Sequence, residues 1–307
     1  MEKYRMGLSE LYGKALRRFI KVTFPLWERL GFHVTPVHYY QPIPDTRTLG
    51  DGLWEARSAL AGLDTNEDGQ LALLADFADR YKAEYEAFPR GKTPAPHEYY
   101  VDNRSFESVD GEVLYCMVRR LKPARIFEIG SGFSTMLSAK AALVNASEGR
   151  SCELTAFEPY PNDTLKAGFP GLTRLVPKKI QDVPLSEFER LGEGDILFID
   201  SSHVLTVGSD VKYEFLEVLP RLKAGVVVHI HDVTMPMEYP RDWVMKEHRF
   251  WNEQYLLQAF LAFNDSFEVL WMGAWMHLNH PDRLAAAFSS YDRETRLPGS
   301  VWIRKVR

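Results

Sequence analysis

FEIGSGFST, residues 127–135, lies between the apolar run ARIF and a helical pattern that continues to residue 144. Read as a strand end, a tight turn and a helix start, it makes the following chain an α/β domain. Gly130 and Gly132 let the backbone turn sharply and approach a ligand, and the helix behind them presents free N–H groups. Two glycines in such a turn are not specific by themselves. The segment also departs from the dinucleotide fingerprint G-x-G-x-x-G/A, because Thr135 takes the third glycine position and acidic Glu128 precedes the turn.

Outward from this turn, strand and helix alternate. Strands are expected at 124–129, 153–158, 172–176, 195–200, 224–231, 267–272 and 300–305, with helices at 134–144, 208–222 and 249–263. Short apolar runs joined by helical crossovers imply an α/β fold, a doubly wound, mostly parallel, seven-stranded Rossmann-like sheet covered on both faces. The first 97 residues read as a helical N-terminal extension or lid, and residues 98–307 as the Rossmann-like domain. In the extension Tyr12, Leu16, Phe19 and Ile20 share a helix face, which Pro25 should end or kink. HVTPVHYYQPIPDTRTLG (33–50), with three prolines, is expected to be an ordered, irregular loop. Leu71, Leu74, Phe77, Tyr81 and Tyr85 recur at helical spacing. RGKTPAPHEYY (90–100) reads as a linker, and a helix is expected over 106–121.

At 307 residues and a net charge of −5, the chain offers no electrostatic case for nucleic acid or an anionic membrane as a partner. No window has the length and apolarity of a membrane span. Cys116 and Cys152 have no paired or metal-ligand spacing, which fits a reducing cytoplasm and argues against a structural zinc. The N-terminus shows no signal-peptide pattern. KALRRFIKVTFPLW (14–27) is basic and amphipathic; packing on the main domain is the expectation, and a membrane surface is the rival. DTNEDGQLALLA (64–75) imitates a calcium loop, but Ala75 stands where a bidentate Glu is required, so a helix start explains it better.

Polar residues recur where successive strands end. Glu158 closes the second strand, thirty residues beyond Glu128, where a carboxylate can accept both hydroxyls of a ribose. Gln181 and Asp182 follow the third strand, in position to read an adenine edge. Asp200 closes the fourth, in FIDSSH, and GVVVHIHDVTMP (225–236) ends the fifth on His231 and Asp232. Each alone is an ordinary loop cap; together they suit a ligand lying across the carboxyl edge of the sheet.

EIGSGFST, FEP, FIDSSH…GSDV and VVVHIHDV resemble the class I S-adenosylmethionine-dependent methyltransferases, in particular a subgroup with D-x-x-H after strand four and H-D after strand five. The resemblance covers residues 106–270. It implies S-adenosylmethionine as cofactor, with Glu128 and the turn Gly130, Ser131 and Gly132 against its methionine part. Glu158 would hold the ribose, Gln181 and Asp182 would meet the adenine, and Asp200 would lie beside the cofactor. Phe133 and Ser134 stand where the family usually has a third small residue.

The sheet order so implied brings Asp200, His203, His231 and Asp232 together near the reacting methyl. His229, two residues deeper on the face of His231, is expected to be a hydrogen-bonded core histidine. Two routes fit. In one, Asp200, His231 and Asp232 hold a divalent cation that binds a hydroxylated acceptor. In the other, His203 or His231 is a general base oriented by Asp232 or Asp200. The segment after strand five carries Tyr239, Trp251 and Asn252 as acceptor contacts, and Tyr40 in the loop 38–45 is a further candidate. The expected activity is methylation of a small or medium-sized acceptor at oxygen, by an enzyme for which a homo-oligomer is compatible. Another displacement at the sulfonium, an NAD-dependent oxidoreductase and a non-catalytic relic of the fold are the rivals.

Overall fold

The computed structural model describes residues 8–307. The first seven residues, part of the stretch read for a signal peptide, lie outside the described residues, as does the side chain of Tyr12. Seven strands form one sheet: β1 (Arg125–Ile129), β2 (Glu153–Phe157), β3 (Arg174–Val176), β4 (Ile196–Ile199), β5 (Val227–Ile230), β6 (Phe267–Met272) and β7 (Val301–Lys305). Their order is β3-β2-β1-β4-β5-β7-β6, with the first five parallel and β7 antiparallel to both neighbours. The expected strands are all present, and several stop short of the polar residues that close them, because those side chains have left the pleat for the sheet's edge.

Alternation sends the two sides of each strand into different layers. Ile126, Phe198 and Val227 face one core and Phe127, Leu197 and Val228 the other, all fully buried. The first core also takes in α2 (Glu67–Tyr85), α3 (Asp110–Leu121) and α4 (Phe133–Ser147). Leu74, Phe77, Tyr81, Tyr85 and Phe88 lie in this cluster with Val113 and Met117, so the chain on either side of residue 97 shares one core. The calcium-like residues Asp64 and Asn66 are spent on a turn: Asp64 accepts from the Asn66 N–H, and the Asn66 amide donates to the Val269 carbonyl.

Three expectations change. Helix α1 (Leu8–Arg29) does not end at Pro25 but runs through it; Pro25 sits on the polar side, where water can serve the carbonyl its missing N–H leaves free. Over its described side chains the same helix leaves much of its apolar face open: Phe19 is 58% exposed and Leu26 56%. The helix expected from 249 starts at Glu253 (α5, Glu253–Leu261), since Asn252 has a non-helical backbone, φ −146°, and its N–H is committed to the His203 carbonyl. Among the described residues, no helix is long and apolar enough to cross a membrane.

Candidate active site

Backbone pairing aligns the functional strand ends. The Asp200 N–H donates to Ile129 and that of His231 to Ile199, so β1, β4 and β5 end in steps of one ladder. The turn after β1 rests against the end of β4: a Cβ on Gly130, whose φ is +76°, would lie 1.8 Å from the Asp200 carbonyl oxygen. Only glycine fits there.

Along this edge runs a cleft of about 440 Å³, lined by Gly130, Glu158, Tyr160, Gln181, Asp200 and Ser202 among others. Glu158 accepts from the N–H groups of Ser131 (3.3 Å) and Tyr160 (2.8 Å), which fixes its carboxylate at the tip of β2. Gln181 reaches across to donate to the Gly208 carbonyl at 3.0 Å. Asp182 departs from expectation. It is exposed and lines a separate, smaller hollow with Arg174 and Glu187. Residues 180–182 form a 3₁₀ turn, which fans successive side chains apart, so Gln181 enters the cleft and Asp182 does not.

Glu128 lies beneath the turn. One carboxylate oxygen accepts from the hydroxyls of Ser134 (2.6 Å) and Thr135 (2.9 Å), while the other, Oε2, is buried without a partner. Burial pushes this carboxyl up to about 8, against the pull of the two hydroxyls. The Ser131 hydroxyl is likewise buried and unpaired, and a Cβ on Gly132 would meet no other atom within 4 Å. Orphaned polar atoms beside open backbone suit the amino acid end of a nucleoside cofactor.

At the far end stand Asp200, His203 and Asp232. His203 Nε2 lies 3.3 Å from Asp200 and 3.5 Å from Asp232, while its Nδ1 is 2.9 Å from buried Glu253. Helix α5 holds this imidazole from behind, since the Asn252 and Glu253 N–H groups donate to the His203 carbonyl. The ring also packs on Trp251, with centroids 4.4 Å apart. His203 and Asp232 both have positive φ, a left-handed conformation that costs about 1 kcal/mol and aims their side chains at each other. Burial alone would favour neutral His203, but Asp200 and Glu253 overcome it and hold the imidazole well above its usual range.

The expected trio of Asp200, His231 and Asp232 is thus rearranged. Among the described residues, Asp200, His203 and Asp232 form the group whose ligand atoms all lie within 4.8 Å of one another. His231 Nε2 approaches only Asp232, at 3.7 Å, and its ring lies against Phe106. Its Nδ1 is buried and unpaired. Burial opposes its charge, but Asp232, Asp200 and Asp110 raise its affinity for a proton. His229 is buried as expected but makes no hydrogen bond; it stacks on Phe198 at 3.9 Å, and burial keeps it neutral. Asp110 was not foreseen. It accepts from the backbone of Gly299 and Ser300, where Gly299 backs onto Asp232.

Beyond Trp251 opens a second hollow of about 310 Å³, walled by Pro42, Leu53, Trp54, Tyr239, Trp251 and Tyr255, with Asn252 and Arg249 at its polar margin. The expected acceptor contacts Tyr239, Trp251 and Asn252 all line it. Asn252 is also structural, accepting from the Leu205 N–H at 2.6 Å. Tyr40 does not line it; it is 80% exposed, and Pro42 and Pro44 of the same loop reach the hollow instead. Nothing in the sequence pairs Glu253 with His203, fifty residues away; it shows only as one of several residues after strand five that could line the cleft.

A family model described as a methyltransferase domain matches residues 127–233, from the first strand through Asp232. An uncharacterized protein of Archaeoglobus fulgidus is 30% identical over 171 residues, covering 52% of this chain and 75% of that one. Similar solved structures include a putative methyltransferase from Thermobifida fusca YX, 13% identical over 84% of this chain and 98% of its own, with a TM-score of 0.39. Another is described as the CmcI-N160 apo-structure, 16% identical over 71% and 89%, with a TM-score of 0.35. Residues 127–233 thus match a methyltransferase domain, and the sheet order and glycine turn described above are those expected of a class I S-adenosylmethionine-dependent methyltransferase fold.

Proposed function

We propose that this enzyme methylates a hydroxyl of a small, largely apolar acceptor, with Asp200, His203 and Asp232 as the ligands of a divalent cation. The observation that carries the reading is the direction of His203: Nε2 toward two carboxylates, Nδ1 toward Glu253. A histidine whose second nitrogen is held by a buried carboxylate is the usual arrangement of a metal ligand. Surrounded by three carboxylates, the same imidazole keeps a proton at neutral pH without a cation, which disfavours the general-base route. A mixed oxygen and nitrogen set suits manganese, iron or zinc better than magnesium.

S-adenosylmethionine supplies a methyl group on a sulfonium, already poised for in-line displacement. Glu158 accepts the ribose hydroxyls, Gln181 meets the adenine, and Glu128 with Ser131 takes the ammonium end through their unpaired oxygens. A cation held by Asp200, His203 and Asp232 would lower the pKa of the acceptor hydroxyl, so that its proton passes to solvent and the oxygen takes the methyl as S-adenosylhomocysteine leaves. Tyr239, Trp251 and Tyr255 offer aromatic faces to the acceptor's body, and Trp251 joins that hollow to His203. Alignment of donor and acceptor is then the chain's main contribution to rate.

Manganese titration followed by water-proton relaxation tests the ligand set without knowledge of the acceptor. Wild type should bind one ion, and Asp232→Asn and His203→Ala should each weaken it roughly ten- to hundred-fold. A wild type that binds none, or variants that bind equally well, would return the reaction to the general base.

A further inference from the structure

We infer that α1 is a docking helix for an anionic lipid surface. Leu16, Phe19, Ile20, Leu26 and Trp27 recur at the spacing that makes one stripe of a helix; Ile20 and Trp27 are half-buried, but Phe19, Leu26 and the adjoining Val22 are 58%, 56% and 73% exposed. Among the described side chains of α1, Arg17, Arg18, Lys21 and Arg29 occupy the polar side against one acid, Glu28, which lies 3.4 Å from His33. Within a chain of net charge −5, this exposed amphipathic element thus carries a local excess of positive charge.

That combination matches helices that lie in the plane of a bilayer, apolar face among the acyl chains and basic side chains at the phosphates. Two tyrosines, Tyr39 and Tyr40, each 80% exposed, follow within a dozen residues. Rings with a polar tip settle at the headgroup level. The acidic remainder of the protein would be repelled by the same surface, which orients the molecule with α1 downward. A second copy of the helix is the poorer occupant. Thr23 interrupts the stripe and donates to the helix's own carbonyls, and bulky Trp27 replaces the regular leucine and isoleucine that a coiled-coil seam requires.

The test is co-sedimentation of the full chain with phosphatidylcholine vesicles, with and without phosphatidylserine, at low and high salt. The protein should pellet with the serine-containing vesicles and be released by salt. Leu26→Glu should reduce partitioning at least ten-fold, and Arg17→Gln combined with Arg18→Gln on the order of ten-fold or more. Near-ultraviolet dichroism and the heat of S-adenosylhomocysteine binding should be unchanged in these variants, since α1 is exposed. No pelleting with either vesicle, or equal pelleting with both, overturns the proposal. So does a dimer by light scattering that Leu26→Glu dissociates while vesicles have no effect.

Discussion

Glu253 holds His203 from fifty residues further along the chain, at 2.9 Å and without solvent. Replacing it with glutamine keeps the shape and removes the charge. Glu253→Gln should fold, yet weaken manganese binding by about ten-fold as the imidazole loses its orientation and basicity; relaxation titration against wild type measures it. Glu158 meets two backbone N–H groups and the cleft at once. Glu158→Ala should weaken S-adenosylhomocysteine binding by roughly ten- to hundred-fold, the worth of hydrogen bonds to a charged group, as read by calorimetry. Glu128 makes a prediction about pH. Its folded pKa, about 8, lies above the unfolded carboxyl value of 4.5, so the native state holds the proton more tightly. This contribution to stability is complete below about 4.5 and is lost as pH rises toward 8. Thermal melts between these values should fall more steeply for wild type than for Glu128→Gln; parallel curves would mean the carboxyl ionises freely. At this scale the sequence supplied the residue types but not their partners. Nothing periodic links His203 to Glu253, and whether His203 or His231 faces the carboxylates depends on backbone dihedrals that composition does not encode.

The turn between β1 and α4 sets two glycines side by side with different tasks. Gly130→Ala would put a methyl into the Asp200 carbonyl at positive φ, and no rigid neighbour there can yield. That variant should lose several kcal/mol of stability and melt well below wild type. Gly132 has an extended backbone, φ −176°, and open surroundings. Gly132→Ala should melt within a degree or two of wild type, yet bind S-adenosylhomocysteine more weakly, because the added methyl enters the space assigned to the cofactor. Comparing the two variants by melting and calorimetry separates a packing glycine from a binding one. Elements were the most legible level in the sequence. A parallel strand buried on both faces is a nearly continuous apolar run, so β1, β4 and β5 were plain from composition. Legibility failed where side chains make the geometry: Trp251 and Asn252 delay α5, and the 3₁₀ turn separates Gln181 from Asp182.

At the scale of the whole molecule, residue 97 looked like a boundary because a Pro-rich stretch precedes it and the periodicity changes after it. Packing says more than punctuation. Leu74, Phe77, Tyr81, Tyr85 and Phe88 lie against α3 and the residues around Ala287, and the Tyr85 hydroxyl donates to the Ala287 carbonyl. Five such side chains, at about 1.5–3 kcal/mol each, represent roughly 10 kcal/mol of burial. That is comparable with the entire net stability of an ordinary domain. A chain beginning at residue 98 should therefore be expressed without a cooperative melt and with exposed apolar surface that binds a hydrophobic dye. A chain beginning at residue 33 removes only α1 and its exposed end, so it should melt within a few degrees of the full protein and bind S-adenosylhomocysteine equally well. Cooperative melting of the shorter chain would show that α2 is an accessory to the sheet rather than part of the core on which the site is built.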